Sequence, residues 1–260
     1  MKILCTMPGL LGDILTSLLA VRGVAEHFGQ PVDLWISHNF KALAPLIEAQ
    51  EYIDQVLTLE WNLADTGPVY TYERVHQSLG KVHAPLTVPE GYDRVAHLQY
   101  RGWPNPTCYE DCARNAEADL ELAPGTIKTE PQRAWIVAPL KAEGDWAIVG
   151  NWRARDDDKP RFFEILREVG GVYVGAPNEK IEAKDLRFVK SDWMLTAAIF
   201  ASAQVWVGNQ SAPWVLANGL HMPKILTMEP DTRRHDVTFW LPTPGNRRIG
   251  MNAQEIQVNR

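Results

Sequence analysis

An acidic side chain stands between the first predicted strand and the first predicted helix. The residues MKILCTM (1–7) form a short apolar run, and from Ile14 onward apolar residues recur at helical spacing. Asp13 lies between them, directly after Gly12. It either caps the helix, where Asp is a favoured residue, or is an active-site carboxylate at the carboxyl end of a strand, where open α/β sheets bind ligands.

A second stretch with ligand-binding character is VGNQSAPWVLANGLHMP (207–223). The pattern predicts a strand that ends at Gly208, a polar turn, and a helix that begins near Ser211. The first N–H groups of a helix have no partner within it, and the helix dipole places roughly half a positive charge there. This predicts an anion site with N–H groups of Ser211, Ala212 and Trp214 as donors. The alternative is a well-capped helix without a ligand.

The triplet DDD (156–158) offers carboxylates of the kind that hard cations prefer. It follows a predicted strand by several residues and stands among basic side chains, which argues against a metal site. No phosphate-binding P-loop and no GxGxxG pattern occurs in the chain.

These polar stretches need strands and helices to position them, and the hydrophobic periodicity predicts such a framework. Apolar runs alternate with helical patterns over residues 1–61, which predicts a parallel sheet with right-handed crossovers. The pattern weakens between 62 and 89, and a second α/β series covers 145–228. We therefore predict two α/β domains, residues 1–135 and 136–260, with a C-terminal tail that can return to the first domain.

Composition narrows the class of protein. At 260 residues, 45% hydrophobic and 22% charged, the chain is ordinary globular material. A net charge of −6 gives no reason to expect a general nucleic-acid surface, although a local basic cleft stays compatible with it. No apolar run is long enough to cross a membrane. The three cysteines lack a zinc-binding pattern, so we expect reduced thiols in a cytoplasmic protein.

Four stretches, in chain order, resemble family nine glycosyltransferases, the lipopolysaccharide heptosyltransferase group. The segment 207–223 is similar to their signature G-N-D-S-G-P-x-H-L-A-x-x-L-G-x-P. The positions that match it are Gly208, Asn209, Ser211, Pro213, Leu216, Ala217, Leu220 and Pro223. The opening strand, Gly-Asp pair and apolar helix resemble the start of that family, and 150–166 and 171–179 resemble two further elements.

The resemblance implies the GT-B fold, an α/β fold of two Rossmann-like parallel-sheet domains facing across a cleft. The acceptor would bind the N-terminal domain and the nucleotide sugar the C-terminal one. It implies an inverting, metal-independent glycosyltransferase that moves a sugar from a nucleotide-diphosphate sugar to a hydroxyl acceptor (a glycan, lipopolysaccharide or small molecule), with no cofactor. Asp13 would then be the catalytic residue.

The resemblance also assigns donor-binding roles. Glu179 would bond the ribose hydroxyls, and Arg153, Arg155 and Lys159 would offset charge on the departing diphosphate. Each has a plainer alternative: Glu179 as a solvated loop acid, and the bases as balance for the neighbouring DDD triplet. The complete set of residues implied to bind the donor is Gly12, Asn151, Arg153, Arg155, Lys159, Gly175, Glu179, Gly208, Asn209, Gln210, Ser211 and Ala212.

The chain departs from the family pattern where Gln210, Ala212 and Val215 replace Asp, Gly and His. These changes predict another nucleotide sugar as donor or a loss of catalysis. Two other functions therefore stay open. One is a different enzyme on this scaffold, such as a nucleotide-sugar epimerase or a transferase that decorates a modified nucleic-acid base. The other is a sugar-nucleotide-binding module without turnover. Trp103 and Trp152 fall in predicted loops and could stack on a sugar or base.

Overall fold

The computed structural model of the chain describes residues 1–7, 9–59, 89–98, 107–153, 158–228 and 246–259. The described residues divide into two compact units. The N-terminal unit begins at Met1 and ends at Glu130, and the C-terminal unit begins at Pro131. The division falls five residues before the domain boundary that the sequence predicts.

The described strands of the N-terminal unit form a parallel sheet. Its strands are β1 (Ile3–Met7), β2 (Val32–Ser37), β3 (Ile53–Leu59) and β4 (Arg94–His97), in the order β3-β2-β1-β4. All residues of β1 and β2 are buried, as expected for parallel strands that are covered on both faces. The alternating pattern of the first 61 residues therefore predicts the parallel strands β1, β2 and β3 correctly.

Helix α1 (Leu11–Phe28) connects β1 to β2, and every residue from Ile14 to Ala25 in it is buried. Residues 40–50 have the apolar pattern of a single helix, but the structure has a 3-10 turn (His38–Leu43) followed by a short α2 (Ala44–Glu48). The interruption has a local cause, because Phe40 has a non-helical φ of −114°. Helix α3 (Cys108–Asp119) packs against α1.

The C-terminal unit contains a second parallel sheet. Its strands are β5 (Ile148–Asn151), β6 (Val172–Gly175), β7 (Arg187–Lys190), β8 (Val205–Gly208), β9 (Lys224–Met228) and β10 (Asn246–Ile249). Their order is β10-β9-β8-β5-β6-β7. This is the doubly wound order, in which the chain winds outward from the centre in both directions. The reversal lies between β5 and β8, where doubly wound sheets bind ligands.

The helices of this unit cover the sheet. They are α4 (Lys159–Glu168), α5 (Trp193–Ser202), α6 (Ala212–Gly219) and α7 (Ala253–Asn259). Side chains of α4, the central strands and α7 form one apolar cluster with Phe162, Ile165, Tyr173 and Ile256 in it.

The end of the chain contains a strand and a helix that the sequence analysis does not predict. Strand β10 and helix α7 are not predicted, because the segment NRRI has two exposed arginines and lacks an apolar run. The described part of the tail belongs to the C-terminal unit, where Ile256 is fully buried. Residues 229–245 lie outside the described part of the chain.

Two global features bear on function. Among the described residues, no helix is both long and apolar enough to cross a membrane. Cys5, Cys108 and Cys112 are free thiols and all three are buried. Burial, with a smaller effect of the Asp33 charge, raises the pKa of Cys5 to about 12. Burial and then the Asp13 charge raise the pKa of Cys108 well above its usual range.

Candidate nucleotide-sugar site

The point where the strand order reverses in the C-terminal unit brings the ends of β5 and β8 together. Asn151 and Gly208 are the last residues of these strands and are partners in the parallel register. A Cβ on Gly208 would lie 2.2 Å from the backbone oxygen of Asn151. Only glycine fits here, because a backbone atom cannot turn away as a side chain would.

A polar turn connects the two strand ends beyond this contact. The Oδ1 of Asn209 accepts a hydrogen bond of 2.8 Å from the backbone N–H of Arg153, and the Ser211 hydroxyl donates to the Asn209 carbonyl at 3.2 Å. Asn209 is buried, whereas Arg153 is exposed. The loop that follows β5 and the loop that follows β8 are thus held to each other through one amide side chain.

Helix α6 begins at the end of this turn. Ser211 is its N-cap residue, and the N–H of Val215 donates to the Ser211 carbonyl at 3.1 Å. The N–H groups of Ala212 and Trp214 precede that bond and have no carbonyl within the helix to bind, while Pro213 has no N–H. The structure therefore places the predicted anion-binding donors at a helix N-terminus, next to the strand reversal.

Asn151 carries an acceptor that the described residues leave unused. Its side chain is 2% exposed, and its Nδ2 donates to the carbonyl of Val174 at 2.5 Å. That carbonyl fixes the orientation of the amide, because a rotated side chain would set two oxygens against each other. No atom of the described residues donates to its Oδ1, and a buried polar atom without a partner is uncommon in folded proteins.

Glu179 forms the centre of a second polar cluster, at the end of β6. Lys159 forms an ion pair with its Oε1, and the hydroxyl of Tyr173 lies 2.7 Å from the same oxygen. The backbone N–H of Ala176 donates to Oε2 at 3.1 Å. A Cβ on Gly175 would lie 2.8 Å from Oε2, so this glycine leaves the space that the carboxylate occupies.

The environment of Glu179 keeps it ionised. Burial would raise the pKa of the carboxyl, but hydrogen bonds from Lys159, Tyr173 and Ala176 together lower it below the usual 4.5. Burial, followed by the bond to Glu179, raises the pKa of Tyr173 well above 10, so the phenol stays protonated. A carboxylate held in this way is an acceptor for ligand hydroxyl groups.

The predicted basic residues do not share one environment. Lys159 is bound to Glu179, and its ammonium lies 5.7 Å from the ring centres of Phe163 and Tyr173. The resemblance implies that Lys159 binds the diphosphate, whereas in the structure it pairs with the Glu179 carboxylate. Arg155 lies outside the described residues, as do the first two members of the DDD triplet. The third, Asp158, directly precedes α4.

Asp13 belongs to the N-terminal unit, in the turn that leads from β1 into α1. It is the third residue of the helix, and its Oδ2 accepts a hydrogen bond of 2.8 Å from the N–H of Leu10, the N-cap residue. The interpretation of Asp13 as the N-cap itself is therefore wrong, although its carboxylate does cap the helix. Gly12 lies in the same first turn, and its carbonyl accepts from Thr16 at 2.8 Å.

The other described donor-site candidates all lie in the C-terminal unit, whereas Gly12 and Asp13 lie in the N-terminal one. Thr6 of β1 is close to Asp13 in sequence, and its register partner is His97 of β4. The Thr6 hydroxyl lies 2.8 Å from the Nδ1 of His97. The sheet order reverses between these two strands as well.

Two aromatic residues change the picture obtained from sequence. Trp152 is 1% exposed and stacks on Phe162 with ring centres 5.0 Å apart, so it is a core residue and not a platform for a sugar or base. Trp103 lies outside the described residues. Tyr173 contacts the candidate site through Glu179, and sequence reasoning missed it. Its signal was a tyrosine in an apolar strand, since a buried phenol needs a polar partner.

Together the two sheets and their helices define the fold. The fold is that of GT-B glycosyltransferases of the heptosyltransferase type, which confirms the fold that the four sequence stretches imply. Several solved structures share it over the whole chain. No family model matches the chain, and no curated protein matches it in sequence.

The structure of the E. coli heptosyltransferase WaaC with ADP-2-deoxy-2-fluoro heptose superposes over 100% of both chains, with a TM-score of 0.65 and 16% identity. The E. coli ADP-heptose lps heptosyltransferase II gives a TM-score of 0.62 at 14% identity, over 100% of this chain and 97% of that one. A glycosyl transferase family 9 protein from Veillonella parvula gives 0.58 at 12%, over 99% and 87%. At these identities the likeness is one of fold.

Proposed function

We propose that this protein is a glycosyltransferase that moves a sugar from a nucleotide-diphosphate sugar to a hydroxyl acceptor, with inversion and without a metal. The observation that carries the proposal is the placement of three features at the carboxyl ends of β5, β6 and β8. These are an ionised carboxylate on Glu179, the donor-bearing N-terminus of α6, and the basic residues Arg153 and Lys159. The fold is shared with structures of heptosyltransferases, one of them with an ADP-heptose analogue.

In the proposed reaction the acceptor hydroxyl attacks the anomeric carbon as the bond from that carbon to the diphosphate breaks. The helix N-terminus and the basic side chains stabilise the charge that collects on the leaving diphosphate. Glu179 accepts hydrogen bonds from the ribose hydroxyls. In a single displacement the attacking hydroxyl must lose its proton, and we assign Asp13 as the acceptor of that proton.

Several properties of Asp13 support this role. It follows the carboxyl end of β1 and is partly exposed. The bond from Leu10 fixes its carboxylate, and the N-terminus of α1 favours the ionised form. A charged carboxylate with a fixed direction is suited to receive a proton.

The donor is expected to differ from ADP-heptose. Val215 is 6% exposed in α6 and stands where the family has His, and Gln210 stands where it has Asp. Neither side chain is ionisable. We expect lower turnover with ADP-heptose than with the best UDP-, GDP- or CDP-sugar. Equal or higher turnover with ADP-heptose would contradict this expectation.

A panel of nucleotide sugars tests the function. Nucleotide release that depends on an added acceptor supports a transferase. Release or isomerisation without acceptor indicates another enzyme on this scaffold, and binding without product indicates a non-catalytic module. Glu179→Gln should weaken donor binding, whereas Glu164→Gln should not, because the Glu164 carboxylate pairs with Arg161 on the exposed face of α4.

Metal independence has its own test. Because the N-terminus of α6 and the basic side chains would stabilise the negative charge on the leaving group, EDTA should leave turnover unchanged. Complete loss in EDTA, restored by magnesium or manganese, would mean that the DDD triplet (156–158) holds a catalytic cation.

A further inference from the structure

Tyr173 connects the two polar clusters of the C-terminal unit. Its side chain is fully buried on β6, and its hydroxyl lies 2.7 Å from the Glu179 Oε1 and 3.2 Å from the carbonyl of Trp152. Trp152 directly precedes Arg153, whose N–H donates to Asn209. Polar contacts through Tyr173 and the Trp152–Arg153 peptide therefore join Glu179 to the turn in front of α6.

The phenol has one proton for two acceptors. A bond to an ionised carboxylate is shorter and stronger than a bond to a neutral carbonyl, and the two distances follow that order. Tyr173 therefore donates to Glu179, and the Trp152 carbonyl is a weaker second contact. This assignment requires that Glu179 is ionised, and the ion pair with Lys159 and the hydrogen bond from the Ala176 N–H favour that form.

The partners of Glu179 differ in how firmly they are held. Lys159 is on a flexible four-carbon chain and is 19% exposed, so its ammonium can exchange the carboxylate for another anion. Tyr173 cannot exchange in this way. Its ring lies edge-on to Phe163 at 4.9 Å and to Phe162 at 6.3 Å, within the core. When a diphosphate attracts Lys159, Tyr173 and the backbone of Ala176 are the partners that stay.

We infer that Tyr173 is a positioning residue of the nucleotide-sugar site, which holds the Glu179 carboxylate in the orientation that accepts the ribose hydroxyls of the donor. The inference rests on the proposed function, because it assumes a ribonucleotide ligand. It adds to that function a residue in the core of the sheet that acts through Glu179 and does not touch the ligand.

The test is Tyr173→Phe, which removes the hydroxyl and keeps the packed ring. Calorimetry with ADP, GDP, UDP and CDP first identifies the nucleoside diphosphate that the wild-type protein binds best. The matching 2′,3′-dideoxynucleoside diphosphate is then the second probe. We expect the variant to bind the ribonucleotide several-fold more weakly, up to roughly tenfold, because one hydrogen bond to a charged group sets the upper bound for a residue that acts through Glu179. Its affinity for the dideoxynucleotide should change less than about twofold, because that ligand lacks the ribose hydroxyls that Glu179 would bind.

Controls separate a positioning role from a structural one. Tyr52→Phe removes another buried tyrosine hydroxyl, in the N-terminal unit, and should change neither affinity. In a Glu179→Gln background, Tyr173→Phe should add little further loss for the ribonucleotide, because both changes remove the same interaction. Thermal melting of each variant reports whether it is folded.

The outcomes are distinct. Equal losses for the two nucleotides, no loss for either, or full additivity with Glu179→Gln overturns the role of Tyr173 and leaves the proposed function standing. Failure of the wild-type protein to bind any of the four nucleoside diphosphates overturns the proposed function, and the inference with it.

Discussion

The turns at Gly9–Asp13 and Gly175–Glu179, one in each unit, each fix a carboxylate by the same arrangement. In both, a glycine precedes an acidic residue by four positions, and the carboxylate accepts the N–H of the residue after the glycine, at 2.8 and 3.1 Å. A Cβ on either glycine would lie 2.8–2.9 Å from a carboxylate oxygen. A side chain at this position would displace the acid.

The two turns differ in what surrounds the fixed carboxylate. Glu179 lies in a loop and is bound by an ammonium and a phenol. Asp13 opens the 18-residue helix α1, and its charge contributes, after burial, to the raised pKa of the Cys108 thiol. The same local turn therefore holds both carboxylates in place. Under the proposed function, Glu179 accepts hydrogen bonds from the ribose hydroxyls, and Asp13 takes the proton of the acceptor hydroxyl.

Asp13→Asn should have the largest effect. Asn still accepts the N–H of Leu10, so the protein should fold and bind donor nearly as the wild type does. Transfer should fall by roughly two orders of magnitude or more, because the amide cannot take a proton. Steady-state kinetics and donor binding measure the two parts. Asp93→Asn is a matched control, since Asp93 accepts the N–H of Lys2 in the same unit. Wild-type turnover in Asp13→Asn would leave Asp13 as a capping residue only.

The glycines offer a direct comparison of the turns. In Gly9→Ala the new methyl would lie 2.5 Å from the Asp13 Cβ, which is close to the backbone and cannot move away easily. We expect turnover to fall at least tenfold with donor affinity retained, since a small misplacement of a reacting group can cost roughly a hundredfold. In Gly175→Ala we expect the reverse, with donor affinity reduced several-fold through Glu179, by about the value of a weakened bond to a charged group. The same kinetic defect in both variants would argue against separate roles.

The pH dependence of stability should distinguish the Glu179 turn. Because its pKa in the folded protein is below the usual 4.5, the unfolded chain takes up the proton first as the pH falls. The stabilisation is complete above about pH 4.5 and is lost as the pH falls through the lower, folded value. Urea unfolding of the wild type and Glu179→Gln between pH 7 and 3.5 should show a smaller decline in the variant. Parallel curves would mean that the carboxylate gains nothing from its partners.

We expect the smallest effect on stability, from loss of the helix cap that Asp13 provides. Asp13→Ala removes the acceptor for the N–H of Leu10 and a negative charge from the helix start. The free energy of unfolding should fall by about 1 kcal/mol, and by less in Asp13→Asn. Chemical denaturation checks both values. No loss in Asp13→Ala would show that the cap contributes only to the direction of the carboxylate.

Sequence patterns predicted the framework well because buried parallel strands carry a strong signal. Runs such as VDLWIS and QVWVG are short and have few polar residues, and the structure has strands at Val32–Ser37 and Val205–Gly208. The same rule fails for β10, an edge strand with two exposed arginines. Its formation depends on pairing with β9, which a local pattern cannot report.

The sequence predicted the turns of the candidate site but not the contacts between its side chains. Gly208 and Ser211 stand out in sequence because strand ends and helix starts have local signatures. The pairing of Lys159 with Glu179 joins residues 20 positions apart, and it depends on how α4 packs on the sheet. Trp152 follows a strand and reads as a loop residue, but stacking on Phe162 buries it.

Helix α1 is covered by a segment that comes a hundred residues later in the chain. A Cβ on Gly23 would lie 2.5 Å from the carbonyl of Lys128, Ile127 is buried, and Arg22 donates to the Glu130 carbonyl. During synthesis, the apolar helix therefore leaves the ribosome long before its cover does. Until residues 127–130 emerge, that face of the helix is open to water or to a chaperone, and the N-terminal unit can complete its fold only afterwards.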